Sequence, residues 1–249
     1  MIEEESGADR SPIVAVIFAG GIGSRMNSQA QPKQFLEIHG KPIIVHTLEH
    51  FEEHPEVDAI AIAILPEGRD HLERLVRRHE LSKVRWIVDG GATGQQSRHA
   101  ALVAVANDQP PETIVLIHDG VRPVINRALI DANLESVRRH GSAITCTKFN
   151  ETVISTPTDR VEDVIPRDHI YAAQAPQSFR LQDILSVYER AVADGELDSI
   201  DSCTLMHSYG YPLHRVVGPR SNLKITTAED YYVCRTFFDL VEGQQISGF

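Results

Sequence analysis

The chain has 249 residues, 42% of them apolar, and carries 35 Asp and Glu against 24 Lys and Arg, a formal net charge of −11. A chain of this length can bury a core without disulfides or bound metal. Its acidic balance argues against binding to nucleic acid or to an anionic membrane, because both depend on clustered Lys and Arg.

The remaining composition predicts a cytoplasmic protein. No stretch approaches the roughly 18 consecutive apolar residues of a membrane span, and the acidic start of the chain is unlike a signal peptide. The three cysteines, Cys146, Cys203 and Cys234, are widely spaced and form no C-x-x-C pair. We interpret them as reduced core thiols. Residues 1–11 precede the first apolar run and are expected to form a flexible acidic tail.

Strand-like and helix-like segments alternate along the first 147 residues. The predicted strands are apolar or β-branched runs at Ile13–Ala19, Val57–Leu65, Val84–Val88, Thr113–His118 and Ser142–Thr147. Four helices are predicted between these strands. The first begins at Pro42, the second includes Leu72, Leu75 and Val76, the third covers Ser97–Ala106, and the fourth includes Leu129, Ile130, Leu134 and Val137. This alternation predicts a Rossmann-like α/β fold, with a mostly parallel central sheet covered by helices on both faces. Ligands bind to such sheets at the carboxyl ends of the strands.

The alternation ends after residue 147. Residues 148–172 contain short β-like pieces and two prolines, which predicts a projecting β-arm. A helix is expected at Leu181–Ala193, short strands at Leu213–Val217 and Leu223–Ile225, and a closing helix at Thr227–Val241 with Thr227 as its N-cap. The expected organisation is one domain at 12–241, with the arm at about 148–172, and a C-terminal tail at 242–249.

A glycine-rich loop follows the first strand and reads Ala19-Gly20-Gly21-Ile22-Gly23-Ser24-Arg25-Met26. Glycines at such a turn let backbone N–H groups approach phosphate oxygens closely. The loop is not a dinucleotide fingerprint, because Met26 occupies the third glycine position, and no G-K-[ST] follows as in a P-loop. On this loop alone, a tight strand-to-helix turn with solvated cations is an equal alternative.

Further motifs favour a phosphate-binding loop over a simple turn. They are Pro32-Lys33-Gln34-Phe35, Gly40-Lys41-Pro42-Ile43, Asp89-Gly90-Gly91 with Ser97, His118-Asp119-Gly120-Val121-Arg122-Pro123, Gln174-Ala175-Pro176-Gln177-Ser178-Phe179 and Ser221-Asn222-Leu223-Lys224-Ile225-Thr226. Together with the glycine-rich loop, this set resembles the sugar-phosphate and polyol-phosphate nucleotidyltransferases, and the cytidylyltransferases among them. The resemblance spans residues 14 to about 235, nearly the whole chain.

Two branches of that family differ in their acceptor, D-ribitol 5-phosphate or 2-C-methyl-D-erythritol 4-phosphate. The glycine-rich loop, the His118–Pro123 motif and Phe149-Asn150-Glu151-Thr152 resemble the ribitol branch. The implied reaction converts CTP and D-ribitol 5-phosphate into CDP-ribitol and pyrophosphate, and such a product would serve teichoic acid or another cell-surface polymer. One departure is Gly94, which stands where both branches commonly place an Arg, so that a phosphate or ribose contact is either missing or supplied by Arg98.

The resemblance also implies residue roles, an Mg²⁺ cofactor and a homodimer joined through the arm. The implied catalytic residues are Arg25, Lys33, Arg167 and Lys224, with Arg25 and Lys33 neutralising the α-phosphate and the leaving group. The implied CTP-binding residues are Phe18, Ala19, Gly20, Gly21, Gly23, Gly90, Gly91, Ser97 and Gly120. The implied acceptor-binding residues are Arg122, Thr152, Arg167 and Lys224, and Asp119 would hold Mg²⁺. These types suit the chemistry, because attack of a phosphate on a triphosphate requires fixed cations.

Several alternatives stay open on the residues alone. Asp119 could be a turn residue, Arg122 could pair with Asp119 instead of substrate, and Arg167 could be a solvated loop residue. The chain could also be an inactive, nucleotide-binding relative, although the retained cations argue against that. A nucleotide-sugar glycosyltransferase would need a D-x-D motif, and Asp198-Ser199-Ile200-Asp201 is one residue too long.

One histidine cluster stands outside these motifs. His46, His50 and His54 fall at i, i+4 and i+8 of the first predicted helix. A zinc site at this spacing is conceivable, but Ile44, Leu48 and Phe51 mark the buried side of the helix. We therefore interpret the histidines as a solvated stripe.

Overall fold

The computed structural model describes residues 10–20 and 32–247. The strands are β1 (Ile13–Phe18), β2 (Glu37–Ile38), β3 (Lys41–Pro42), β4 (Ala59–Ile64), β5 (Val84–Asp89), β6 (Ile114–Asp119), β7 (Ser142–Lys148), β8 (Val153–Ser155), β9 (Asp163–Ile165), β10 (Tyr171–Arg180) and β11 (Arg215–Val217). The helices are α1 (Ile43–Glu52), α2 (Pro66–Arg78), α3 (Gly94–Ala106), α4 (Arg127–His140), α5 (Leu181–Ala193), α6 (Ser202–Ser208) and α7 (Ala228–Ser247), with 3₁₀ turns at Lys33–Phe35 and Arg167–His169.

Seven strands form the central sheet, in the order β11-β7-β10-β6-β1-β4-β5. β1 pairs in parallel with β4 and β6, β4 with β5, and β7 with β11. β10 lies antiparallel between β6 and β7. The predicted α/β fold with a mostly parallel sheet is confirmed.

Alternation of side chains along β1 explains why both faces of the sheet are covered. Ile13, Ala15 and Ile17 enter one core with α1, α2 and α4, whereas Val14 and Val16 enter a second core with α3, α5 and α6. All five are fully buried. A strand buried on both faces reads as a continuous apolar run, which is why the sequence identified it.

The predicted arm contains a short hairpin, in which β8 pairs with β9 in antiparallel register from Val153 opposite Ile165 to Ser155 opposite Asp163. Most of its residues are exposed, among them Ile154 and Val164. The hairpin forms a separate two-stranded sheet, apart from the central one.

The structure corrects several expected boundaries. Leu223–Ile225 is not a strand: the N–H of Leu223 donates to the nearby carbonyl of Ser221, and the N–H of Ile225 donates to the carbonyl of Val121, without a ladder. The closing helix extends to Ser247, beyond the predicted end at 241. Its predicted cap is confirmed, because Thr227 Oγ1 accepts a hydrogen bond from the backbone N–H of Asp230.

Sequence reasoning missed β10 and α6. β10 has no apolar alternation around Gln174 and Pro176, and its register with β7 shifts between Ala173 and Gln177. α6 has only seven residues and begins after Asp201, whose carboxylate accepts a hydrogen bond from Thr204 N–H as an N-cap. Neither segment carries the periodicity that identifies a longer element.

At the start of the chain, the predicted tail lies outside the described residues except for Arg10 and Ser11. The Arg10 guanidinium donates to Asp58, 2.6 Å away, so contact with the domain begins already at residue 10. Among the described residues, no helix is long and apolar enough to cross a bilayer.

Candidate active site

Two adjoining pockets open where the carboxyl ends of β1 and β6 meet, at the edge of the sheet where the fold predicts ligand binding. The first, which we call the glycine pocket, is lined by Gly20, Lys33, Gly91, Gly94 and Ser97 among others. The second, which we call the amide pocket, is lined by Arg122, Gln174, Gln177, Asp201 and Ser202 among others. Five residues line both pockets and form the boundary between them: Phe18, Arg98, Asp119, Ile200 and Lys224.

Close packing explains the glycines of the first pocket. A Cβ on Gly91 would lie 2.4 Å from Cβ of Gln96, and one on Gly90 would lie 3.0 Å from Oγ of Ser97. Ser97 accepts a hydrogen bond from Gly91 N–H at 3.1 Å and donates to the carbonyl of Thr93 at 2.9 Å. The loop after β5 is therefore fixed against the first turn of α3, which leaves its backbone facing the pocket.

A capping box begins α3 beside this loop. Thr93 accepts from the N–H of Gln96, and the Gln96 side chain accepts from the N–H of Thr93. The Thr93 hydroxyl also donates to the carbonyl of Leu197, 2.7 Å away. These bonds tie the start of α3 to the segment between α5 and α6, which contributes Ile200 to the pocket boundary.

The electrostatic centre of the boundary is Asp119, the last residue of β6. One carboxylate oxygen lies 2.7 Å from Nε of Arg122, and the other lies 2.5 Å from Nζ of Lys224. Burial acts to raise the pKa of Asp119, but the positive charges of Arg122 and Lys224 more than offset this and hold the pKa well below its usual range. Asp119 is therefore a permanent anion that anchors two cations.

Further contacts hold this cluster in place. Arg122 Nη1 donates to the carbonyl of Asn222 at 2.9 Å, and Asn222 Nδ2 donates to the carbonyl of Ala175 at 2.7 Å. These bonds join three of the motifs noted in the sequence, those around residues 119, 175 and 222. His118 is fully buried beside Asp119, and burial lowers the pKa of His118 to about 3. It is therefore neutral at physiological pH.

Phe18, at the end of β1, presents its ring to two boundary cations. Nζ of Lys224 lies 5.7 Å from the ring centroid, and Cζ of Arg98 lies 5.3 Å from it. Contacts of this kind favour a cation over the ring face. Phe18 therefore helps to keep two positive charges at the junction of the pockets.

The pockets have a positive formal balance although the whole chain is acidic. Four cationic side chains and two carboxylates line them within the described residues, a formal balance of +2: Lys33, Arg98, Arg122 and Lys224 against Asp119 and Asp201. Cations grouped in one cleft raise the local concentration of an anionic ligand whatever the net charge of the chain. The site therefore suits ligands rich in phosphate.

Most of the predicted site residues that the structure describes lie at these pockets. Phe18, Ala19, Gly20, Lys33, Gly91, Ser97, Asp119, Arg122 and Lys224 line one pocket or both. Gly90 supports the pocket from behind through its contact with Ser97. Gly120 lines neither, and its N–H is bonded to the carbonyl of Phe18 at 3.0 Å. Gly21, Gly23 and Arg25 lie outside the described residues.

The two predicted arm residues are not brought to the pockets by their own chain. Thr152 and Arg167 are exposed, and neither lines the glycine pocket or the amide pocket. The Arg167 guanidinium donates to the carbonyl of Asn150, 2.7 Å away, within the arm itself. Their roles stay predictions.

The sequence reasoning did not assign the far wall of the amide pocket. The Gln177 side chain donates to Asp201 at 2.8 Å and accepts from the N–H of Cys203 at 2.8 Å. Gln174 and Ser202 complete this wall. The motif around Gln174 and Gln177 was visible in the sequence, but nothing local indicated that it would meet the N-terminus of α6.

Asp119, the predicted Mg²⁺ ligand, has both carboxylate oxygens paired with cations. The described residues contain no group of three or more His, Cys, Asp or Glu side chains that could hold a metal ion. Mg²⁺ commonly takes one or two carboxylates and fills its octahedron with water and substrate phosphates. These residues therefore do not form a metal site by themselves, and any divalent ion would depend on phosphate ligands.

The histidine stripe on α1 is not solvated, contrary to the sequence interpretation. His46 and His50 are half-buried, with Nε2 2.9 Å from the carbonyls of Ile38 and Pro123 respectively. His54 is buried and lies 3.0 Å from Asp131. Burial lowers the pKa of both His46 and His50. β2, α7, the loop at Pro123 and α4 cover this face of the helix, which the helical periodicity of α1 could not reveal.

The chain is similar in sequence and in fold to known proteins. The chain is 45% identical to a ribitol-5-phosphate cytidylyltransferase of Streptococcus agalactiae serotype V, over 94% of this chain and 98% of the relative. It is 35% identical to a 2-C-methyl-D-erythritol 4-phosphate cytidylyltransferase of Geotalea uraniireducens, over 94% and 99% respectively. A crystal structure of 4-diphosphocytidyl-2C-methyl-D-erythritol synthase from Anaerococcus prevotii superposes with a TM-score of 0.79 at 28% identity, covering 92% of this chain and 96% of that one.

The family model for 2-C-methyl-D-erythritol 4-phosphate cytidylyltransferase matches residues 13–239. That range includes the central sheet, both pockets and the arm. The sequence resemblance to cytidylyltransferases is therefore confirmed, and the chain belongs to the 2-C-methyl-D-erythritol 4-phosphate cytidylyltransferase family.

Proposed function

We propose that the chain transfers the cytidylyl group of CTP to D-ribitol 5-phosphate, giving CDP-ribitol and pyrophosphate. The observation that carries this proposal is the positively charged boundary between two pockets, centred on Lys224 and Asp119. The relative named for the ribitol phosphate activity is 45% identical over nearly the whole chain, compared with 35% for the one named for methylerythritol phosphate. This difference favours ribitol 5-phosphate as the acceptor.

The reaction brings two anionic substrates together. A phosphate oxygen of the acceptor attacks the α-phosphorus of CTP and forms a new P–O bond. The bond from the α-phosphorus to the oxygen that bridges to the β-phosphate breaks, and its electron pair leaves with pyrophosphate. Positioned cations lower the barrier, because they offset repulsion between the substrates and stabilise the charge of the transition state.

We assign the nucleotide to the glycine pocket and the acceptor to the amide pocket. Fixed backbone at Gly20 and Gly91 suits the close approach of a nucleotide, and Lys33 on the same wall would neutralise its phosphates. Side-chain amides and hydroxyls at Gln174, Gln177 and Ser202 suit a polyol. The α-phosphorus would then lie at the boundary that both pockets share.

Lys224 is positioned for that boundary by Asp119. The ion pair restricts a long side chain that would otherwise sample many rotamers, and Phe18 supports its ammonium group. Asp119 thus acts as a counter-ion that preorganises Lys224 and Arg122. In this assignment Lys224 binds the acceptor phosphate and holds it in line with the α-phosphorus.

Two parts of the proposal rest on the family resemblance. Gly21, Gly23 and Arg25 would bind the triphosphate, with Mg²⁺ entering as its counter-ion. Thr152 and Arg167 would complete the acceptor site of the partner subunit in a homodimer, since they line neither pocket of their own chain.

The direct test measures pyrophosphate release from CTP with each of the two polyol phosphates as the acceptor. We expect release with D-ribitol 5-phosphate and at least about tenfold lower kcat/KM with 2-C-methyl-D-erythritol 4-phosphate. Activity with the second acceptor alone would overturn the ribitol assignment. Binding of CTP without turnover of either acceptor would identify a non-catalytic nucleotide-binding relative.

A further inference from the structure

Arg98 is a buried cation without a carboxylate partner in the described part of the chain. The residue is only 2% exposed, on α3 directly after Ser97. Its Nε donates to the Tyr188 hydroxyl at 2.8 Å, and its Nη2 donates to the carbonyl of Ser199 at 2.9 Å. Both acceptors are neutral, so these bonds orient the guanidinium without compensating its charge.

This arrangement is costly unless a ligand supplies the missing negative charge. A guanidinium stays protonated in proteins, and a buried charge destabilises the fold unless it is paired or solvated. The aromatic ring of Phe18 offsets part of that cost. Arg98 lines both pockets, so its charge is directed toward them.

The third nitrogen of the guanidinium, Nη1, has both of its N–H groups available to a ligand. Nη1 makes no hydrogen bond to any described residue, and it lies 3.2 Å from the position that a Cβ on Gly94 would occupy. Glycine at 94 therefore leaves space beside Nη1 at the first turn of α3. Gly94 and Arg98 both line the glycine pocket, so the space beside Gly94 adjoins the Nη1 donor of Arg98.

We propose that Nη1 of Arg98 binds a phosphate oxygen of a substrate at the boundary between the pockets. This inference rests on the proposed function, because it places the phosphates of that reaction at the boundary. The phosphate could belong to the nucleotide or to the acceptor, and the two sources share the same chemistry. Tyr188 and Ser199 are then positioning residues, which aim the guanidinium by fixing Nε and Nη2.

The test compares each phosphate-bearing ligand with its neutral counterpart. Dissociation constants for CTP, cytidine, D-ribitol 5-phosphate and ribitol are measured by calorimetry on the wild type and on Arg98→Met. This variant keeps an unbranched aliphatic side chain but removes the charge. We expect Arg98→Met to weaken one of the phosphate-bearing ligands by about 10- to 100-fold, as for loss of a charge-assisted hydrogen bond. Cytidine and ribitol should change by less than about threefold. Weakening of CTP identifies the nucleotide as the source, and weakening of D-ribitol 5-phosphate identifies the acceptor.

Matched variants separate this role from a structural one. Arg190→Met removes an arginine that lies over an aromatic ring in the same way, 4.8 Å from the ring centroid of Tyr209, but lines neither pocket. It should leave all four constants unchanged. Arg98→Lys retains the charge without the fixed fork of donors and should show an intermediate loss. It replaces Arg98→Met in the comparison if circular dichroism shows that Arg98→Met is unfolded.

The proposal is overturned if the folded Arg98 variant binds CTP and D-ribitol 5-phosphate within about threefold of the wild type. It is also overturned if cytidine weakens as much as CTP does, since that pattern indicates a distorted pocket. A wild-type chain that binds CTP but does not use D-ribitol 5-phosphate contradicts the proposed function instead, and the comparison of CTP with cytidine still tests Arg98.

Discussion

The pocket boundary and the arm carry the predicted phosphate-binding cations in opposite ways. In the amide pocket, next to the boundary, Arg122 is buried and paired with the boundary residue Asp119, and its guanidinium also donates to the carbonyl of Asn222. On the arm, Arg167 is exposed and bonded to the carbonyl of Asn150 within the same segment. The boundary is organised by the fold of one chain, whereas Arg167 on the arm lines neither the glycine pocket nor the amide pocket of its own chain.

This contrast indicates which part of the site is preorganised. Cations held by buried ion pairs need little ordering when substrate binds, and this favours catalysis. An exposed two-stranded hairpin is only marginally stable by itself, and in our proposal a partner subunit packs against it. Variants at the boundary should therefore affect stability as well as activity, whereas variants on the arm should affect activity alone.

The largest expected effect is on turnover at the boundary. Lys224→Ala removes the cation proposed to hold the acceptor phosphate, and kcat/KM should fall by about 10³-fold. Lys41→Ala is the control, because Lys41 is also paired with a carboxylate, Glu49 at 2.6 Å, but lines neither pocket. If Lys224→Ala retained kcat/KM within about tenfold of the wild type, the assigned role of Lys224 would be wrong.

The next effect is on stability. Asp119→Asn leaves the buried Arg122 without its counter-ion, and the free energy of unfolding should drop by about 3 kcal/mol. Urea unfolding at neutral pH measures this change. On the arm, Asp163→Asn removes an exposed carboxylate, and it should change stability by less than about 0.5 kcal/mol. Equal losses in the two variants would contradict the contrast between the two regions.

A smaller effect is expected from the arm cation. Arg167→Ala should lower kcat/KM for the acceptor by about 100-fold without changing the unfolding transition. Arg160→Ala, at an exposed arm position, is the control and should retain activity.

The same variant tests whether the arm works across a dimer. Arg167→Ala and Lys33→Ala, each strongly impaired alone, should regain activity when they are mixed and allowed to exchange subunits, because a mixed dimer contains one intact site. Absence of recovery in a mixture shown to contain mixed dimers would contradict completion of the site by the partner subunit.

The smallest effect concerns pH. His118 has a pKa of about 3 in the folded chain because it is buried, compared with about 6.5 when unfolded. The unfolded state therefore binds the extra proton as pH falls below 6.5, so stability must decrease with falling pH. Between pH 7.5 and 5.5 this histidine alone should remove about 1.4 kcal/mol.

Burial lowers the pKa of His46, His50 and His99 as well, which adds to the loss in the same direction. Urea unfolding at the two pH values measures the total for the wild type. His118→Gln should reduce the difference, with His207→Gln at an exposed position as the control. A pH dependence that is unchanged by His118→Gln would show that His118 does not remain neutral in the folded chain.

Much of the fold was predictable because its signals are local. The apolar run of β1, the helical spacing of Ile130 and Leu134 in α4, and the N-cap Thr227 each depend on neighbouring residues, and all three are confirmed. β10 was not predictable in this way. It lies antiparallel between β6 and β7, where its partners rather than its own pattern determine the strand.

The candidate site likewise combines features that the sequence indicates locally with contacts that it does not indicate. Residue types at Lys33, Asp119 and Lys224 indicated phosphate chemistry, because each belongs to a motif at a loop expected on one edge of the sheet. Whether Arg122 would pair with Asp119 was open in the sequence, and the structure gives a buried ion pair. The contribution of Gln177 and Ser202 to the amide pocket depends on contacts between β10 and α6, which share no local signal.

The α/β architecture, the family, and the loops that carry cations within an acidic chain were predictable from the amino-acid sequence alone. These properties follow from periodicity and from residue types in short motifs. The tertiary structure was needed to show that Asp119 is a counter-ion held between two cations, that the histidines of α1 are covered, and that Arg98 has no carboxylate partner among the described residues. The physical reason is that burial and ion pairing depend on residues far apart in the chain, so they exist only once the chain has folded.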